Sequence, residues 1–223
     1  MVGEAASRTV AAAGLTGAGR PATRRVEPAR EPHILYDTFR RAIDVVLSLA
    51  LLLVASPLIL VACLAILVTT RRSPLLIQRR VGWLGHEFWM LKLRTMRDEG
   101  ESRAGLAAKP AYDERVTPVG RLLRRTSIDE LPQLVNVLAG QMTLVGPRPG
   151  LPAEVSEYRS AWVRRLAVKP GLTGLWQVNG RSSVPPRRWM ALDRAYLQRR
   201  STRFDILILI RTVAAVVSMR GAW

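Results

Sequence analysis

Two adjacent carboxylates, Asp129 and Glu130, follow the basic pair Arg124-Arg125 and open an apolar segment that reads as a helix. Unpaired backbone N–H groups and the helix dipole favour negative charge at a helix start, which keeps Asp129 ionised. An ionised carboxylate can attack phosphorus and form an acyl phosphate. The plainer alternative is structural. Ser127 and Glu130 fit the S-x-x-E capping box, which accounts for Glu130 without chemistry. Pro132 weighs against Ser127 as the cap, because its ring then falls beyond the first turn; a start at Asp129 or Glu130 accommodates it.

Cations recur around this pair in the sequence. Gly146-Pro147-Arg148-Pro149 is a turn stiffened by proline on both sides, presenting one planar guanidinium suited to phosphate. In the run Lys92-Leu93-Arg94-Thr95-Met96, strand alternation puts Lys92 and Arg94 on one face, where they can meet phosphate or Glu130. The stretch from Lys169 to Arg181 is glycine-rich, contains Trp176 and Gln177, and ends in a cation. Its glycines allow close backbone approach, and Trp176 could pack on a base or sugar. Each motif by itself is also an ordinary turn, strand face or core segment.

These residues need elements to hold them. Leu75–Arg80 and Glu87–Arg94 read as a β-hairpin around a glycine-containing loop. Residues 97–116 are polar and read as a loop. Thr117–Arg125 predicts a short basic helix, and Leu131–Leu138 a second helix ended by Gly140. Glu154–Arg165 and Arg187–Arg200 predict further helices with basic faces. Ile206–Met219 is apolar but interrupted by Arg211; it is either an amphipathic interfacial helix or core. Residues 1–32, rich in Ala, Gly, Arg and Pro, read as disordered.

Between Val45 and Thr70 no residue is charged, and about 20 apolar residues suffice to cross a bilayer core. A straight span is the plain reading. Ser56-Pro57 near the middle of the run argues instead for a break. Arg40, Arg41, Arg71, Arg72, Arg79 and Arg80 flank both ends, and positive charge marks the cytoplasmic side. Entry and exit through one face, as a re-entrant helical hairpin, satisfies both ends.

Composition narrows the classes. The 223 residues carry a formal charge of +17, which draws the chain to phosphates, anionic lipid or nucleic acid. One cysteine, Cys63, excludes an internal disulfide, and two histidines far apart argue against zinc. Neither a Walker loop nor a dinucleotide fingerprint is present.

In combination the motifs resemble the bacterial sugar transferase family, the monotopic phosphoglycosyl transferases. The likeness runs from Arg40 to the C-terminus in order. It takes in Arg40-Arg41 with Asp44, Ser56-Pro57, K-x-R-T-M at 92–96, S-x-D-E-L-P-Q at 127–133 and Asn136-Val137-Leu138. G-P-R-P at 146–149, P-G-x-T-G-x-x-Q-V-N-G-R at 170–181, and Asp193 with Tyr196 complete it. Gln141-Met142-Thr143 stands where many members carry an acidic residue and serine. The resemblance implies a mainly helical α/β fold: a disordered extension at 1–35, a re-entrant membrane helix at 36–72, and a catalytic domain at 73–223. That domain would carry a short β-hairpin and interfacial amphipathic helices on the cytoplasmic face of the bacterial inner membrane. It implies Mg²⁺ held at Asp129, and sugar-1-phosphate transfer from a UDP-sugar to polyprenyl (undecaprenyl) phosphate. Asp129 would be the nucleophile and Glu130 would complete the dyad. Lys92, Arg94, Arg124, Arg148, Gln177 and Arg181 would bind substrate, and Ser56-Pro57 would form the membrane break. Gly174–Val178 is reminiscent of members that transfer hexose-1-phosphates such as glucose or galactose. Two other readings compete: a catalytically inactive basic membrane scaffold, against which the intact Asp129, Glu130 and Arg148 speak, and a nucleic-acid-binding protein, which lacks any supporting motif.

Overall fold

The computed structural model describes residues 34–97, 113–180 and 184–218. The extension before them, the loop core at 98–112 and Arg181 lie outside the described residues. The first element, α1 (Ile34–Thr70), is a single helix of 37 residues, about 55 Å long at 1.5 Å per residue. Its uncharged stretch leaves large apolar side chains bare, including Leu53, Val54, Leu60, Val61 and Val68. By length and composition it is able to cross a membrane. Hydrogen bonding continues through Pro57, which lies inside the helix. Proline has no N–H for the carbonyl of Leu53, one turn back. The Ser56 hydroxyl donates to that carbonyl instead, at 2.9 Å. Helical hydrogen bonding thus runs on through the expected break, with the proline defect repaired locally.

Two parts of α1 dock on the rest of the chain. Near its start, the Arg41 guanidinium donates to the carbonyls of Val137 and Leu138, both at 2.6 Å. Asp44 accepts the Leu144 N–H at 2.9 Å, and Arg40 bonds Thr143 and the Val145 carbonyl. Arg40 also pairs with Asp205, on which the hydroxyls of Tyr36 and Tyr196 converge. Towards its end, Ala62 and Ile66 pack on Leu93 and Leu123.

The β-hairpin forms as expected: β1 (Leu75–Val81) pairs antiparallel with β2 (Glu87–Leu93), Ile77 facing Leu91 and Arg79 facing Trp89. Helices α2 (Pro118–Thr126) and α3 (Gln133–Leu138) follow, the latter closed near Gly140 at φ 76°. A second sheet escapes the sequence reading. Strands β3 (Thr143–Val145) and β4 (Gly171–Thr173) pair in parallel over three residues each, too short for periodicity to register. The helix expected over Glu154–Arg165 is instead broken. It comprises α4 (Pro152–Ser156), α5 (Ser160–Val163) and a 3₁₀ turn over Arg164–Ala167, because Arg159 is extended (ψ 160°). Then come α6 (Leu175–Val178), α7 (Pro186–Arg199) and α8 (Thr202–Val217). The main core gathers Met90, Leu134, Val137, Met142, Leu144, Val145, Leu175, Tyr196 and Ile208. Helix α8 is core on one side, where Ile208 is fully buried, and leaves Ile206, Ile210, Val213 and Val217 exposed on the other.

Candidate active site

Helix α2 begins with Thr117, whose hydroxyl accepts the Gly120 N–H at 2.9 Å. It lies directly on the end of the hairpin. The Thr117 N–H donates to the Thr95 carbonyl at 3.1 Å, and Arg124 Nε reaches Thr95 Oγ1 at 2.9 Å. Gly120 makes this docking possible, since a Cβ there would come within 2.7 Å of the Thr95 carbonyl carbon and 2.8 Å of its Cα. Ser127 then ends α2 in the left-handed conformation, φ 59°, uncommon for a residue with a Cβ. Its N–H returns to carbonyls of α2 and its side chain caps nothing ahead of it. The capping box anticipated from Ser127 and Glu130 is therefore not formed. The reversal feeds a single 3₁₀ turn, Ile128–Glu130, with Pro132 just ahead of α3. The two carboxylates thus sit in a tight turn rather than in the first turn of an α-helix.

That turn aims Asp129 at β2. Its carboxylate lies 3.3 Å from Lys92 Nζ, and both side chains are about 95% removed from solvent. The other carboxylate, Glu130, pairs with Arg148 at 3.0 Å, each about a quarter exposed. Lys92 therefore serves Asp129, and Arg148 serves Glu130. Asn136 fixes α3 to the same strand: its amide accepts from the Leu91 N–H at 3.0 Å and donates to the Trp89 carbonyl at 2.7 Å. In effect the side chain acts as one residue of a neighbouring strand.

The Arg148 turn is held by backbone. Thr173 O accepts the Gly146 N–H at 2.8 Å, and Pro147 O accepts the Gly171 N–H at 2.9 Å. The chains approach so closely that a Cβ at Gly146 would fall 2.8 Å from both Gly171 N and Lys169 O. From beneath, Arg165 donates to the Arg148 carbonyl at 2.8 Å. Buried Arg165 is itself fixed by Asp193 and by the Tyr158 hydroxyl, both at 2.8 Å. Sequence reading assigned Arg165 to the basic face of a helix and missed this support. The only signal available in sequence was Asp193, an acid among basic neighbours.

Arg124 joins the site through Thr95 and through its electrostatic pull on Asp129. Arg94 does not: it follows the end of β2 and its Nε donates to the Ser73 carbonyl at 2.8 Å. Gln177 lies beside the glycine turn, its Oε1 2.7 Å from where a Cβ on Gly174 would be. Both amide atoms of Gln177 are buried without a hydrogen-bond partner, and neighbouring Trp176 packs on Trp189 with centroids 5.0 Å apart. A buried amide left unsatisfied is costly and suits a ligand that would engage it.

Burial dominates the electrostatics of Asp129 and pushes its carboxyl above the usual carboxylate range; Lys92 and Arg124 oppose that shift, while Glu130 adds to it. The expectation that a helix dipole alone keeps it ionised gives way to a balance between dehydration and two cations. For a divalent ion, the donors are carboxylate oxygens of Asp129 and Glu130. Among the described residues no group of three metal-ligating side chains occurs. This donor set fits Mg²⁺, which takes one or two carboxylates and completes its shell with substrate phosphates and water.

Comparison with known proteins shows the family to which the chain is similar. The family model described as bacterial sugar transferase matches residues 35–219. The exopolysaccharide production protein ExoY of Rhizobium meliloti is 38% identical over 198 residues, covering 82% of this chain and 88% of that one. The UDP-glucose:undecaprenyl-phosphate glucose-1-phosphate transferase of Caulobacter vibrioides is 41% identical over 203 residues, 86% of this chain and 74% of that protein. The undecaprenyl-phosphate galactose phosphotransferase of Salmonella typhimurium is 38% identical over 199 residues, 82% of this chain but 41% of that longer protein.

Proposed function

The chain belongs to the bacterial sugar transferase family, and from that premise we propose that it is a polyprenyl-phosphate sugar-1-phosphate transferase using a UDP-sugar and a covalent aspartyl intermediate. The observation that carries the reading is a buried carboxylate, Asp129, held on Lys92 beside the Glu130–Arg148 pair. A carboxylate shed of its water shell and flanked by cations is suited to attack on phosphorus, where catalysis is mainly positioning and charge neutralisation.

In the first half-reaction an Asp129 oxygen bonds to the β-phosphorus of the UDP-sugar. The bond from that phosphorus to the bridging oxygen breaks, and UMP leaves with the bonding electrons. In the second, a polyprenyl phosphate oxygen bonds to the same phosphorus, the acyl–phosphate bond breaks, and Asp129 returns as carboxylate. Lys92, Arg124 and Arg148 neutralise charge on the phosphates. Asp129, with Glu130, would hold Mg²⁺, which supplies further neutralisation at the pyrophosphate. Burial of Asp129 keeps water from the acyl phosphate between the two steps.

Membrane topology follows the same reading. Residues 40–44 and residues 62–66 of α1 contact one folded body. A body on one side of a bilayer cannot grip both ends of a spanning helix, which supports entry and exit through one face. Arginines at both ends support an orientation of that face towards the cytoplasm of a bacterial inner membrane.

Incubation of the purified protein with Mg²⁺, undecaprenyl phosphate and a panel of UDP-sugars tests the reading. Release of UMP with one donor is the expected result. Release of UDP would mean ordinary glycosyl transfer and overturn the mechanism.

A further inference from the structure

The β-hairpin has two unlike faces. Gln78, Arg80, Met90 and Lys92 point inward and are buried. On the opposite face Ile77 and Trp89 are each 58% exposed, Leu75 is 42% exposed, and Leu91, paired with Ile77, is partly exposed. In alternation Trp89 and Leu91 lead to Leu93, on the same face. Leu93 is fully buried beneath Ala62 and Ile66 of α1. The bare part of this face therefore continues a contact already made with the last turns of the apolar helix. The outer sides of those turns, Leu64, Leu67 and Val68, are also bare. Only Arg71–Pro74 separate the end of α1 from the start of β1.

We infer that this outer hairpin face, Leu75, Ile77, Trp89 and Leu91, rests in the headgroup–acyl boundary of the bilayer as a second membrane contact beside α1. The inference rests on α1 being in the bilayer, as proposed above. The occupant is identified by charge and by continuity. Arg79 lies over the Trp89 ring at 5.9 Å, exposed and paired with Glu87 at the edge of the face, and Arg71 and Arg72 are exposed where α1 ends. A tryptophan edged by arginines is the side-chain set that seats at a lipid interface, with the ring among the acyl carbons and the cations on anionic phosphates.

The contact sets the height of the chemistry. Lys92 follows Leu91 and points to the other side of the pleat, towards Asp129. The nucleophile then stands beyond the far side of the strand, at least about 10 Å above the lipid-facing surface, with half a sheet spacing of side chain on each face.

The test uses the full chain in nanodiscs of phosphatidylethanolamine and phosphatidylglycerol. An environment-sensitive fluorophore is placed in turn on Cys63 of α1, on Ile77→Cys and on Glu114→Cys, the last two in a Cys63→Ala background. The expected result at position 77 is a blue-shifted emission, strong quenching by a nitroxide lipid labelled near the headgroup, weak quenching by one labelled near the chain end, and protection from iodide. Position 114 should be quenched by iodide and not by either lipid. Iodide quenching at 77 equal to that at 114, with Cys63 still protected, overturns the hairpin contact and leaves α1 in the membrane. Iodide quenching at Cys63 as well overturns both. In the unlabelled Ile77→Cys chain, a 77–77 disulfide formed between two copies on addition of a mild oxidant, together with no lipid quenching in the labelled chain, assigns the face to a second copy and likewise overturns the proposal.

Discussion

Replacement of Gly120 by alanine separates the intrinsic preference of a helix from the needs of the site. In an exposed helix interior, glycine to alanine stabilises by about 1 kcal/mol. Here the new Cβ would lie 2.7 Å from the Thr95 carbonyl carbon and 2.8 Å from its Cα, and closer still to its oxygen. These are backbone atoms and cannot swing aside. Ordinary carbon contacts are about 3.5–4.0 Å, so α2 must withdraw by roughly 1 Å. The overlap and withdrawal cost about 1–3 kcal/mol, which exceeds the helix gain. The withdrawal also pulls Arg124 from Thr95 Oγ1, 2.9 Å away in the native chain, and shifts the 3₁₀ turn that follows with Asp129. A displacement near 1 Å at a reacting group costs on the order of 100-fold in rate. The expected outcome of Gly120→Ala is a chain that still inserts and folds, melts lower, and releases UMP about 100-fold more slowly. A variant that melts higher than the parent, or turns over at the parental rate, would refute the claim that backbone contact at Thr95 sets the position of Asp129.

Asp129→Asn should abolish transfer while membrane insertion, followed by fractionation and by protection of α1 from protease, is unchanged; substantial residual turnover would remove Asp129 as nucleophile. Arg148→Lys keeps a charge but loses the planar fork facing Glu130, and should lower kcat by about 10²-fold, the order seen for loss of one charge-stabilising donor. Ser56→Ala leaves the Leu53 carbonyl without a partner beside Pro57, and should lower stability by about 1–3 kcal/mol, read as a lower melting temperature and reduced membrane yield. Burial raises the Asp193 carboxyl from its ordinary 3.8 to about 6, with Arg165 opposing. The folded state therefore resists ionisation of Asp193, and stability falls by about 3 kcal/mol as the pH rises from about 4 to about 6, then levels. Asp193→Asn should flatten this component, so that its melting temperature gains less than the parent's on acidification across that window; an equal gain would refute it.

Much of the site was legible because its residues travel in short motifs whose backbone roles are local. The hairpin, α2, α3 and α7 declare themselves through alternation, proline and glycine. Arg148, read from its proline-flanked turn as a phosphate ligand, comes to lie against Glu130. What sequence did not yield lies at long separation. Asn136 completes the edge of a strand about 45 residues away in the chain, and parallel β3 and β4 are recognisable only once paired. The break near Arg159 has no glycine or proline to mark it; Tyr158 and Arg165, both drawn inward to each other, decide it. Ser127 shows how a local rule loses. Its sequence context fits a helix start, but ending α2 in a left-handed turn claims its backbone first. Arg94 shows the same for strand alternation, since the strand ends one residue before it.

The turn that presents Arg148 has a consequence for how this protein can change. Gly146 and Gly171 meet backbone to backbone, and Gly174 is pressed against Gly146 in turn. There is no side chain at these positions to lengthen, shorten or recharge, and any substitution collides with main chain. The cradle is thus closed to gradual variation. Selection or engineering that retunes which donor is accepted must work through residues that border the cradle without forming it, such as Gln177 and its aromatic neighbours. The turn that presents Arg148 and the segment that carries Gln177 are, on this geometry, two chain segments pressed together, one fixed and the other open to adaptation.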